Sequence, residues 1–320
     1  MKAAVYYENG GPNVLRYENV TDPECPPNGV LIRVEAVSIE GGDVLNRWRG
    51  ALPRKPHIVG YQAAGEIVEV GAEVTNLRVG QKVATVGAHG SHAELRAVSA
   101  LSAWPIPEGF DPKLAAAIPV TFGTADECLF EFGRLKSGET VLVQAGASGV
   151  GVAAIQLAKR AEATVIATAS SDERLQRLTR LGMDHGINYR RNDVVGEIMR
   201  LTSKKGVDLV VDPVGGPTLQ ASLLSLGYRG RVSMVGAAGR EPMQIDVSSM
   251  MAGNRSLTGV FLGAEITSDR VHRNIQRLID EAARGELEVV IDRAFPLARA
   301  GEAHAYIESR QAVGRVLLIP

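Results

Sequence analysis

A glycine-rich turn between two apolar runs is the part of this sequence best suited to chemistry. The stretch TVLVQAGASGVGVAAIQLAKRA leads from an apolar strand, through a turn at residues 146–151, into an alanine-rich helix. Glycines allow such a turn to be tight, and the free N–H groups and dipole of the helix stabilise the charge of a pyrophosphate. Ser148 stands where the usual G-x-G-x-x-G pattern has its second glycine. The pattern predicts a dinucleotide-binding loop with contacts from Gly146, Ser148, Gly149 and Val150.

The end of the next strand, in VIATASSDERL, indicates which dinucleotide the loop would bind. NAD sites usually place Asp or Glu there, about 20 residues after the loop, to hold the ribose 2′-hydroxyl. Ala169 occupies that position, and Ser170, Ser171 and Arg174 offer hydroxyl groups and a guanidinium for a 2′-phosphate. The sequence therefore favours NADPH over NADH. The alternative is that Arg174 only lies on a solvated helix face.

The elements around this loop alternate between strand and helix. Apolar runs such as TVIATA, VDLVVDPVG and GRVSMVG are separated by helical segments, which predicts a parallel sheet with helices on both faces. Residues 1 to about 118 instead contain short strands between turns, typical of a mostly β domain. The tail reads as strand, helix and strand, and we expect it to complete that domain. The predicted domains are 1–120 with 265–320, and 121–264.

Length and composition exclude several classes of function. A chain of 320 residues is expected to form two domains. Its 35 Lys and Arg against 36 Asp and Glu leave a net charge of −1, with no electrostatic footprint for nucleic acid or an anionic membrane. No apolar run approaches the roughly 18 residues of a membrane span, and the N-terminal run is too short for a signal peptide. Cys25 and Cys128 are too far apart for a disulfide framework, so a cytoplasmic location is expected.

Five stretches together resemble a known family. They are MKAAVYYENGGPNVL, VGYQAAGEIVEVG, VGQKV, AGASGVGVAAIQLAK and SRQAVGRVLLIP. The chain resembles, over essentially its whole length, the zinc-independent quinone oxidoreductases of the medium-chain dehydrogenase/reductase superfamily. The resemblance implies a GroES-like, mostly β catalytic domain and a Rossmann doubly wound parallel-sheet domain. It also implies NADPH as cofactor and a homodimer joined through the sheets.

The resemblance also implies cofactor contacts outside the glycine loop. On the nicotinamide side it implies Thr124, Val235, Gly236, Phe261 and Gly263. It places Tyr189 near the adenosine phosphate, with packing in the core as the alternative. It places Arg310 at the 2′-phosphate, with an ordinary surface arginine as the alternative.

The positions that bind catalytic zinc in zinc-dependent relatives carry other residues here. Those relatives use a Cys in the stretch that here reads SIEGGD and the His of a GHE motif, and this sequence has Glu40 and Tyr61, with Gln62 in place of the Glu. The four-cysteine cluster of the structural zinc is absent from the sequence. His89 and His92 are three residues apart on a predicted loop-to-strand segment, which does not point both rings the same way. Because zinc needs three or four correctly spaced ligands, we predict no metal.

The chemistry expected without a Lewis acid is hydride donation from NADPH to an acceptor that is already electrophilic, a quinone or an α,β-unsaturated carbonyl. The candidate catalytic residues are Glu40, Asp43 and Tyr61. Glu40 stands where such reductases commonly carry Asn, so it is expected to alter the nicotinamide contact or the substrate preference. Tyr61 either donates a hydrogen bond to a developing enolate or hydroquinone oxygen or is a packed turn aromatic. Asp43 is expected to fix the backbone of the GGD turn rather than to transfer a proton.

Two other functions remain open at this point. The first is an enoyl reductase for a specific metabolite or thioester, which specificity constants over an acceptor panel would distinguish. The second is a non-catalytic NADPH-binding protein, since relatives serve as lens crystallins. Loss of the reduced-nicotinamide absorbance with a simple quinone would argue against this second function.

Overall fold

The computed structural model describes all 320 residues, which form two compact units. The first unit comprises residues 1–120 and 265–320, and the second comprises residues 121–264. Each encloses its own cluster of buried apolar side chains, with Ile32 and Leu318 in the first and Leu142 and Val210 in the second. A separate core in each unit is what defines a domain.

The N-terminal part of the first unit consists of short strands and two helices. The strands are β1 (Lys2–Tyr6), β2 (Arg16–Asn19), β3 (Gly29–Ser38), β4 (His57–Ile58), β5 (Gln62–Val70), β6 (Lys82–Val86), β7 (Leu95–Ser99) and β8 (Ala103–Pro105), and the helices are α1 (Gly41–Arg49) and α2 (Pro112–Ala115). Strand β3 pairs antiparallel with both β5 and β7. Eight of its ten residues are buried, which explains why its sequence is a nearly continuous apolar run rather than an alternating one.

Helix α1 replaces the loop that the sequence predicts after β3. Two adjacent glycines lower helix propensity and hide this helix in the sequence. Its first turn is closed by Asp43, whose Oδ2 accepts a hydrogen bond from the Glu40 N–H at 2.8 Å. Arg47 and Arg49 lie in the last turn, where positive charge favours the helix dipole. The Asp43 carboxyl therefore holds the start of a helix, where a GGD turn was expected.

The second unit is a doubly wound parallel sheet. Its elements are α3 (Pro119–Asp126, which begins at the end of the first unit), β9 (Thr140–Val143), α4 (Gly149–Arg160), β10 (Thr164–Ala169), α5 (Asp172–Thr179), β11 (His185–Asn188), α6 (Val194–Leu201), β12 (Val207–Asp212), α7 (Pro217–Leu224), β13 (Leu226–Met234), α8 (Ser248–Met251), β14 (Ser256–Gly259) and α9 (Leu262–Glu265, which ends in the first unit). The strand order is β11-β10-β9-β12-β13-β14, and every pair is parallel. The order reverses at β9, so the loop after β9 lies at the switch point where such sheets bind nucleotides.

The last strand of this sheet is shorter than the sequence predicts. The apolar run 257–262 in SLTGVFLG predicts one strand at the edge of the sheet, but β14 ends at Gly259, opposite Met234 at the end of β13. Val260 and Leu262 are buried, whereas Phe261 between them is 75% exposed. Just beyond the strand, the Val260 N–H still donates to the Met234 carbonyl at 2.8 Å. Helix α9 then begins at Leu262.

The C-terminal tail adds its strands to the first unit. Its elements are α10 (Asp269–Ala283), β15 (Ile291–Pro296), α11 (Ala300–Glu308) and β16 (Arg315–Ile319). Strand β16 pairs antiparallel with β3, with Leu317 opposite Ser38. The large sheet has the order β15-β16-β3-β5-β6-β8, with β7 also paired to β3, and a smaller sheet has the order β2-β1-β4. This register brings the start of β16 to the end of β3.

Candidate active site

The loop after β9 carries the N-terminus of α4, as the glycine pattern predicts. The Gly146 N–H donates to the carbonyl of Thr168 at 2.8 Å. Ser148 is the N-cap of α4, and its Oγ accepts the Gly151 N–H at 3.1 Å. The departure from the glycine pattern thus has a structural reason, because serine is among the best N-cap residues. The N–H groups of Gly149 and Val150 begin the helix and have no carbonyl four residues earlier within it, so they are available to phosphate oxygens.

Close packing explains why two of the loop positions are glycine. A Cβ atom at Gly151 would lie 2.4 Å from the Ala145 carbonyl oxygen, and one at Gly146 would lie 2.9 Å from the Ala167 Cβ. The Ala145 carbonyl belongs to the backbone and cannot move aside for a side chain at residue 151. The cradle is therefore made of main chain rather than of side chains, and its geometry fits the pyrophosphate of a dinucleotide.

A buried polar network that sequence reasoning missed supports this loop. Gln144 Oε1 accepts from Thr168 Oγ1 at 2.8 Å, and Gln144 Nε2 donates to Ser222 Oγ at 3.2 Å. Ser222 Oγ donates to Asp212 Oδ2 at 2.8 Å, and Asp212 Oδ1 accepts two backbone N–H groups of the next loop at 2.8 and 3.0 Å. The signal was present in the sequence, since each of the apolar strands β9, β10 and β12 ends at or beside one of these polar residues. The network links the loops at the carboxyl ends of three strands.

The predicted 2′-phosphate contacts lie together at the end of β10. Ala169 ends the strand and is buried, and Ser170 next to it is 8% exposed. The Arg174 Nη1 donates to Ser170 Oγ. Ser171 is the N-cap of α5, and its Oγ accepts the Arg174 N–H at 3.4 Å. The Ser171 oxygen is thus engaged by the helix, so only its hydrogen is left for a phosphate.

Tyr189 lies at the end of the neighbouring strand β11. Its N–H donates to the Ala169 carbonyl at 3.1 Å, and its side chain is 43% exposed. This exposure argues against the core-packing alternative. Beside it, Asp172 accepts from Asn188 Nδ2 at 2.7 Å and from Arg191 Nη1 at 2.5 Å. Sequence reasoning did not single out Arg191, a second guanidinium at this edge of the sheet.

The predicted nicotinamide contacts occupy three places in the second unit. Thr124 is buried within α3. The Val235 N–H donates to the Asp212 carbonyl at 2.9 Å, and a Cβ atom at Gly236 would lie 2.5 Å from the Pro213 carbonyl oxygen. A Cβ atom at Gly263 would lie 2.5 Å from the ring of Phe261. Val235 and Gly236 thus adjoin the end of β12, and all five contacts stay predictions.

Arg310 belongs to the first unit and follows α11. Its backbone adopts a left-handed conformation with φ of 56°, and its N–H donates to the Ile307 carbonyl at 3.0 Å. Its side chain is exposed. The role at the 2′-phosphate stays a prediction.

In the first unit, the buried carboxyl group of Glu40 is held by three donors. Glu40 Oε1 accepts from Gln62 Nε2 at 2.9 Å, from Ser38 Oγ at 3.2 Å and from Arg315 Nη2. Arg315 also donates through Nε to Ser38 Oγ at 3.0 Å and through Nη2 to the Ile39 carbonyl. Burial raises the pKa of Glu40 to about 7, although the charge of Arg315 and the bonds from Ser38 and Arg315 act to lower it.

The sheet register explains how these distant residues meet. Val37 on β3 is opposite Ala63 on β5, so Gln62 lies beside the end of β3. Leu317 on β16 is opposite Ser38, and the Ile39 N–H donates to the Val316 carbonyl at 3.1 Å, so Arg315 lies on the other side. Sequence reasoning missed Arg315 because its partner is 275 residues away.

Asp43 is the second buried carboxyl group of the cluster. Its Oδ1 is buried and accepts no hydrogen bond. Burial raises the pKa of Asp43 to about 8, and the nearby Glu40 raises it further while Arg315 and Arg96 lower it. Asp43 is therefore largely protonated at neutral pH.

Tyr61 places its hydroxyl group over the start of α1. A Cβ atom at Gly42 would lie 2.7 Å from this hydroxyl oxygen, so only glycine leaves room for it. Burial and then the carboxylates of Glu40 and Asp43 raise the pKa of Tyr61 above its usual value. The phenol thus keeps its proton and can donate a hydrogen bond. The three candidate catalytic residues, Glu40, Asp43 and Tyr61, therefore lie close together in the structure.

His92, which we predict has no metal role, pairs with a histidine of the tail. The Nε2 atoms of His92 and His304 are 3.0 Å apart, and Ser91 Oγ lies 3.3 Å from the other His92 ring nitrogen. Burial lowers the pKa of His92 to about 3 and lowers the pKa of His304 as well. The pair is therefore a neutral N–H···N hydrogen bond between the loop before β7 and helix α11.

Comparison with known proteins shows to which family this chain belongs. A model of the alcohol dehydrogenase GroES-like domain matches residues 26–108, and a model of zinc-binding dehydrogenases matches residues 149–283. The quinone oxidoreductase of Pseudomonas aeruginosa is 31% identical over 321 residues, covering 97% of each chain. The chain belongs to the quinone oxidoreductase family of the medium-chain dehydrogenase/reductase superfamily.

Other members and relatives show how far this likeness extends. The 2-haloacrylate reductase of a Burkholderia species is 30% identical over 330 residues, covering 99% of this chain and 98% of its own. The quinone oxidoreductase of Escherichia coli complexed with NADPH superposes with a TM-score of 0.95 over the full length of both chains, at 28% identity. The chain also matches the synaptic vesicle membrane protein VAT-1 homolog of Danio rerio at 30% identity over 316 residues, and spans 65% of that protein's length.

Membership of the quinone oxidoreductase family confirms several predictions. The GroES-like domain and the Rossmann sheet are the two folds expected. At the level of the family the chain is an oxidoreductase enzyme that binds NAD(P). None of its helices has the length and apolar character needed to cross a membrane.

The name of the zinc-binding dehydrogenase model raises the question of whether this family member can bind zinc. Glu40 Oε1 is already occupied by three donors, and Tyr61 holds its proton tightly. Gln62 turns its carbonyl oxygen to the Val120 N–H at 2.6 Å. Among the 320 described residues, no three His, Cys, Asp or Glu side chains lie together where they could hold a metal ion. The residues at these positions do not fit zinc, which needs unengaged N, S or O ligands.

Proposed function

We propose that this protein is an NADPH-dependent reductase of quinones or other electrophilic alkenes conjugated to a carbonyl group. The observation that carries the proposal is that one unit contains a backbone-built dinucleotide loop and the other contains a buried acid cluster. In this proposal residues 1–120 and 265–320 form the GroES-like catalytic domain, and residues 121–264 form the NADPH-binding domain. The named relatives support both acceptor types, since they include quinone oxidoreductases and a 2-haloacrylate reductase.

The preference for NADPH is proposed from the end of β10. Ala169 supplies no carboxylate that would hold a ribose 2′-hydroxyl or repel a phosphate. Arg174 lies against Ser170 at this place, and both can donate to a 2′-phosphate. Arg310 is proposed to add a second guanidinium. The N–H groups of Gly149 and Val150 would hold the pyrophosphate at the start of α4.

The bound nicotinamide supplies a hydride, and the chain must position the acceptor and provide a proton. Tyr61 and Asp43 hold protons at neutral pH, and burial raises the pKa of Glu40 to about 7. Such groups stabilise charge that develops on an acceptor oxygen. Because the donor set does not fit zinc, we propose that the acceptor is already electrophilic and needs no Lewis acid. Thr124, Val235, Gly236, Phe261 and Gly263 are the proposed nicotinamide contacts, and Tyr189 the proposed adenosine-side contact.

The experiment that tests this function is a screen of NADPH and NADH oxidation over quinones, enones and acrylate-type acids. We expect acceptor-dependent loss of NADPH absorbance, with a specificity constant at least about tenfold higher for NADPH than for NADH. Turnover confined to one thioester or metabolite would favour the enoyl reductase alternative. Absence of turnover with every acceptor would contradict the proposal and favour a non-catalytic NADPH-binding protein.

We also propose that the protein is a cytoplasmic homodimer joined through β14. This strand lies at the edge of the parallel sheet, and exposed edges invite pairing with a second chain. Exposed apolar side chains lie near it in the sequence: Met243, Val247, Met251 and Phe261. Light scattering at micromolar concentration should give the mass of two chains. A monomer under these conditions would contradict the proposal.

A further inference from the structure

The hydrogen bonds to Glu40 are unequally divided between its two oxygen atoms. All three donors, Arg315, Ser38 and Gln62, reach Oε1. Oε2 accepts none of them. The Glu40 side chain also faces the Asp43 N–H in the first turn of α1, as in a capping box. The three side-chain donors therefore fix the carboxyl group at Oε1 and leave Oε2 without a side-chain donor.

The three partners of Oε1 can act only as donors. Arg315 has no acceptor atom. Gln62 uses its oxygen for the Val120 N–H at 2.6 Å, so its amide NH₂ must face Glu40. Ser38 Oγ accepts from Arg315 Nε at 3.0 Å, so its hydrogen is directed to Oε1. In both charge states Oε1 is an acceptor, and a proton on Glu40 must sit on Oε2.

We propose that Arg315 is a positioning residue of the reaction, which with Ser38 and Gln62 fixes Glu40 through Oε1 and leaves Oε2 to give a proton to the reduced acceptor. The proposal rests on the proposed function, because it names the proton source for that reduction. Arg315 touches neither acceptor nor cofactor in this account and acts through Glu40.

Reduction of the acceptor takes a hydride from the reduced nicotinamide and a proton from Glu40. The acceptor gains a hydride with its electron pair, and negative charge develops on its oxygen. The O–H bond at Glu40 Oε2 breaks, its electrons remain on Oε2, and a new O–H bond forms on the acceptor. Solvent then returns a proton to Oε2. Water thus restores the acid after each turnover.

The groups around Glu40 set its protonation near neutral pH. Arg315 faces it from β16, Asp43 from α1 and Tyr61 from the turn before β5, while Arg96 on β7 faces Asp43. The Glu40 pKa of about 7 is the balance between burial, which raises it, and Arg315, which lowers it. Because the reaction uses the protonated form, its rate should fall as the pH rises above about 7.

The test is the pH dependence of a single turnover in Arg315→Met and Arg315→Lys. Removing the positive charge should raise the Glu40 pKa, so the alkaline fall in rate should move upward by about one to three pH units in Arg315→Met. The plateau rate should drop about tenfold because the carboxyl group is less well oriented. Arg315→Lys keeps a charge and should bring the fall back toward the wild-type pH. An unmoved pH profile in Arg315→Met would overturn the proposal.

Two controls separate positioning from a general loss of structure. Arg33 is an exposed arginine on β3 with only a 4.0 Å contact to Glu66, and Arg33→Met should leave the profile unchanged. In a Glu40→Gln background, Arg315→Met should cause little further loss of rate, because the two residues act as a unit. Fully additive losses would show that Arg315 acts on stability rather than through Glu40.

A measurement without turnover keeps this inference separate from the proposed function. Difference infrared spectroscopy of the cofactor-free protein reports the Glu40 carboxyl band during a pH titration, with Glu40→Gln identifying the band. Arg315→Met should shift that titration to higher pH even if no acceptor is ever reduced. A titration that stays in place would overturn the positioning role. If Arg315→Met does not fold, Gln62→Glu should give the same upward shift, because it places a second carboxyl group beside Oε1.

Discussion

The two sites of this protein are built in opposite ways. The cofactor loop of the second unit consists of consecutive residues, 146–151, and uses backbone N–H groups at the start of α4. The acid cluster of the first unit gathers side chains from the end of β3, from α1, from the start of β5 and from β16. A local site made of main chain leaves a mark in the sequence. A site made of side chains from distant strands exists only once the sheet has formed.

The same difference extends to their response to pH. No ionisable side chain is needed in the glycine loop, so its affinity for phosphate depends on geometry. In the acid cluster, burial raises the pKa of Glu40, Asp43 and Tyr61. Changes of shape should therefore affect the loop most, and changes of charge should affect the cluster most.

The largest effect is expected where the backbone cradle is filled. Gly151→Ala would place its Cβ atom 2.4 Å from the Ala145 carbonyl oxygen. Because the obstacle is backbone, we expect a penalty near the upper end of about 1 to 3 kcal/mol, which corresponds to roughly a hundredfold weaker NADPH binding. Fluorescence titration of bound NADPH measures this. The matched control is Gly259→Ala, where nothing lies within 4 Å of the added Cβ atom and binding should be unchanged.

A smaller and selective effect is expected at the end of β10. Arg174→Ala removes a guanidinium that a 2′-phosphate would pair with, and such charge-assisted bonds contribute roughly 1.5 to 3 kcal/mol. NADPH should therefore bind about tenfold to a hundredfold more weakly. NADH has no phosphate at this position and should be unaffected. Specificity constants for both cofactors test this prediction, and equal losses for both would show that Arg174 is only a surface helix residue.

In the acid cluster, the uncharged side chain of Gln62 joins Glu40 to the Val120 N–H and should contribute to the free energy of unfolding. Gln62→Leu removes the acceptor of the Val120 N–H and one donor to Glu40. The buried N–H group and the carboxyl oxygen then lose partners, which costs about 1 to 3 kcal/mol. Urea denaturation should show this loss in the free energy of unfolding. An unchanged midpoint would mean that water replaces the Gln62 side chain.

A different kind of effect is expected on how the stability of the protein changes with pH. Burial raises the pKa of Asp43 to about 8 in the folded protein, from an ordinary value of 3.8. The folded state therefore holds a proton that the unfolded chain releases, so stability falls as pH rises from about 4 to 8. Asp43→Asn cannot ionise and should reduce this fall. Thermal melts over that pH range test it, and parallel curves for wild type and variant would contradict the raised pKa.

The sequence predicts the Rossmann sheet because strand and helix alternate regularly from β9 to β14. It also predicts the glycine loop, since a Cβ atom at Gly146 or Gly151 would lie too close to neighbouring atoms. It does not reveal helix α1, because Gly41 and Gly42 weaken the helical signal. The strand predicted over 257–262 was too long because the end of β14 depends on where β13 stops.

The candidate site could be predicted only in part. Tyr61 and Glu40 stand out because they replace zinc ligands of relatives, and Asp43 because it follows two glycines. The partners Arg315 and His304 could not be found, since each lies more than 200 residues from the residue it contacts. The placement of Arg315 depends on the antiparallel pairing of β16 with β3, which no local pattern encodes.

We propose that the protein reduces an electrophilic acceptor with NADPH and without zinc. The most direct measurement is rapid mixing of the NADPH-loaded protein with a simple quinone after treatment with a zinc chelator. We expect one equivalent of NADPH to be oxidised per active site in a single turnover, at the same rate with and without chelator. No oxidation, or oxidation that the chelator abolishes and added zinc restores, would contradict it.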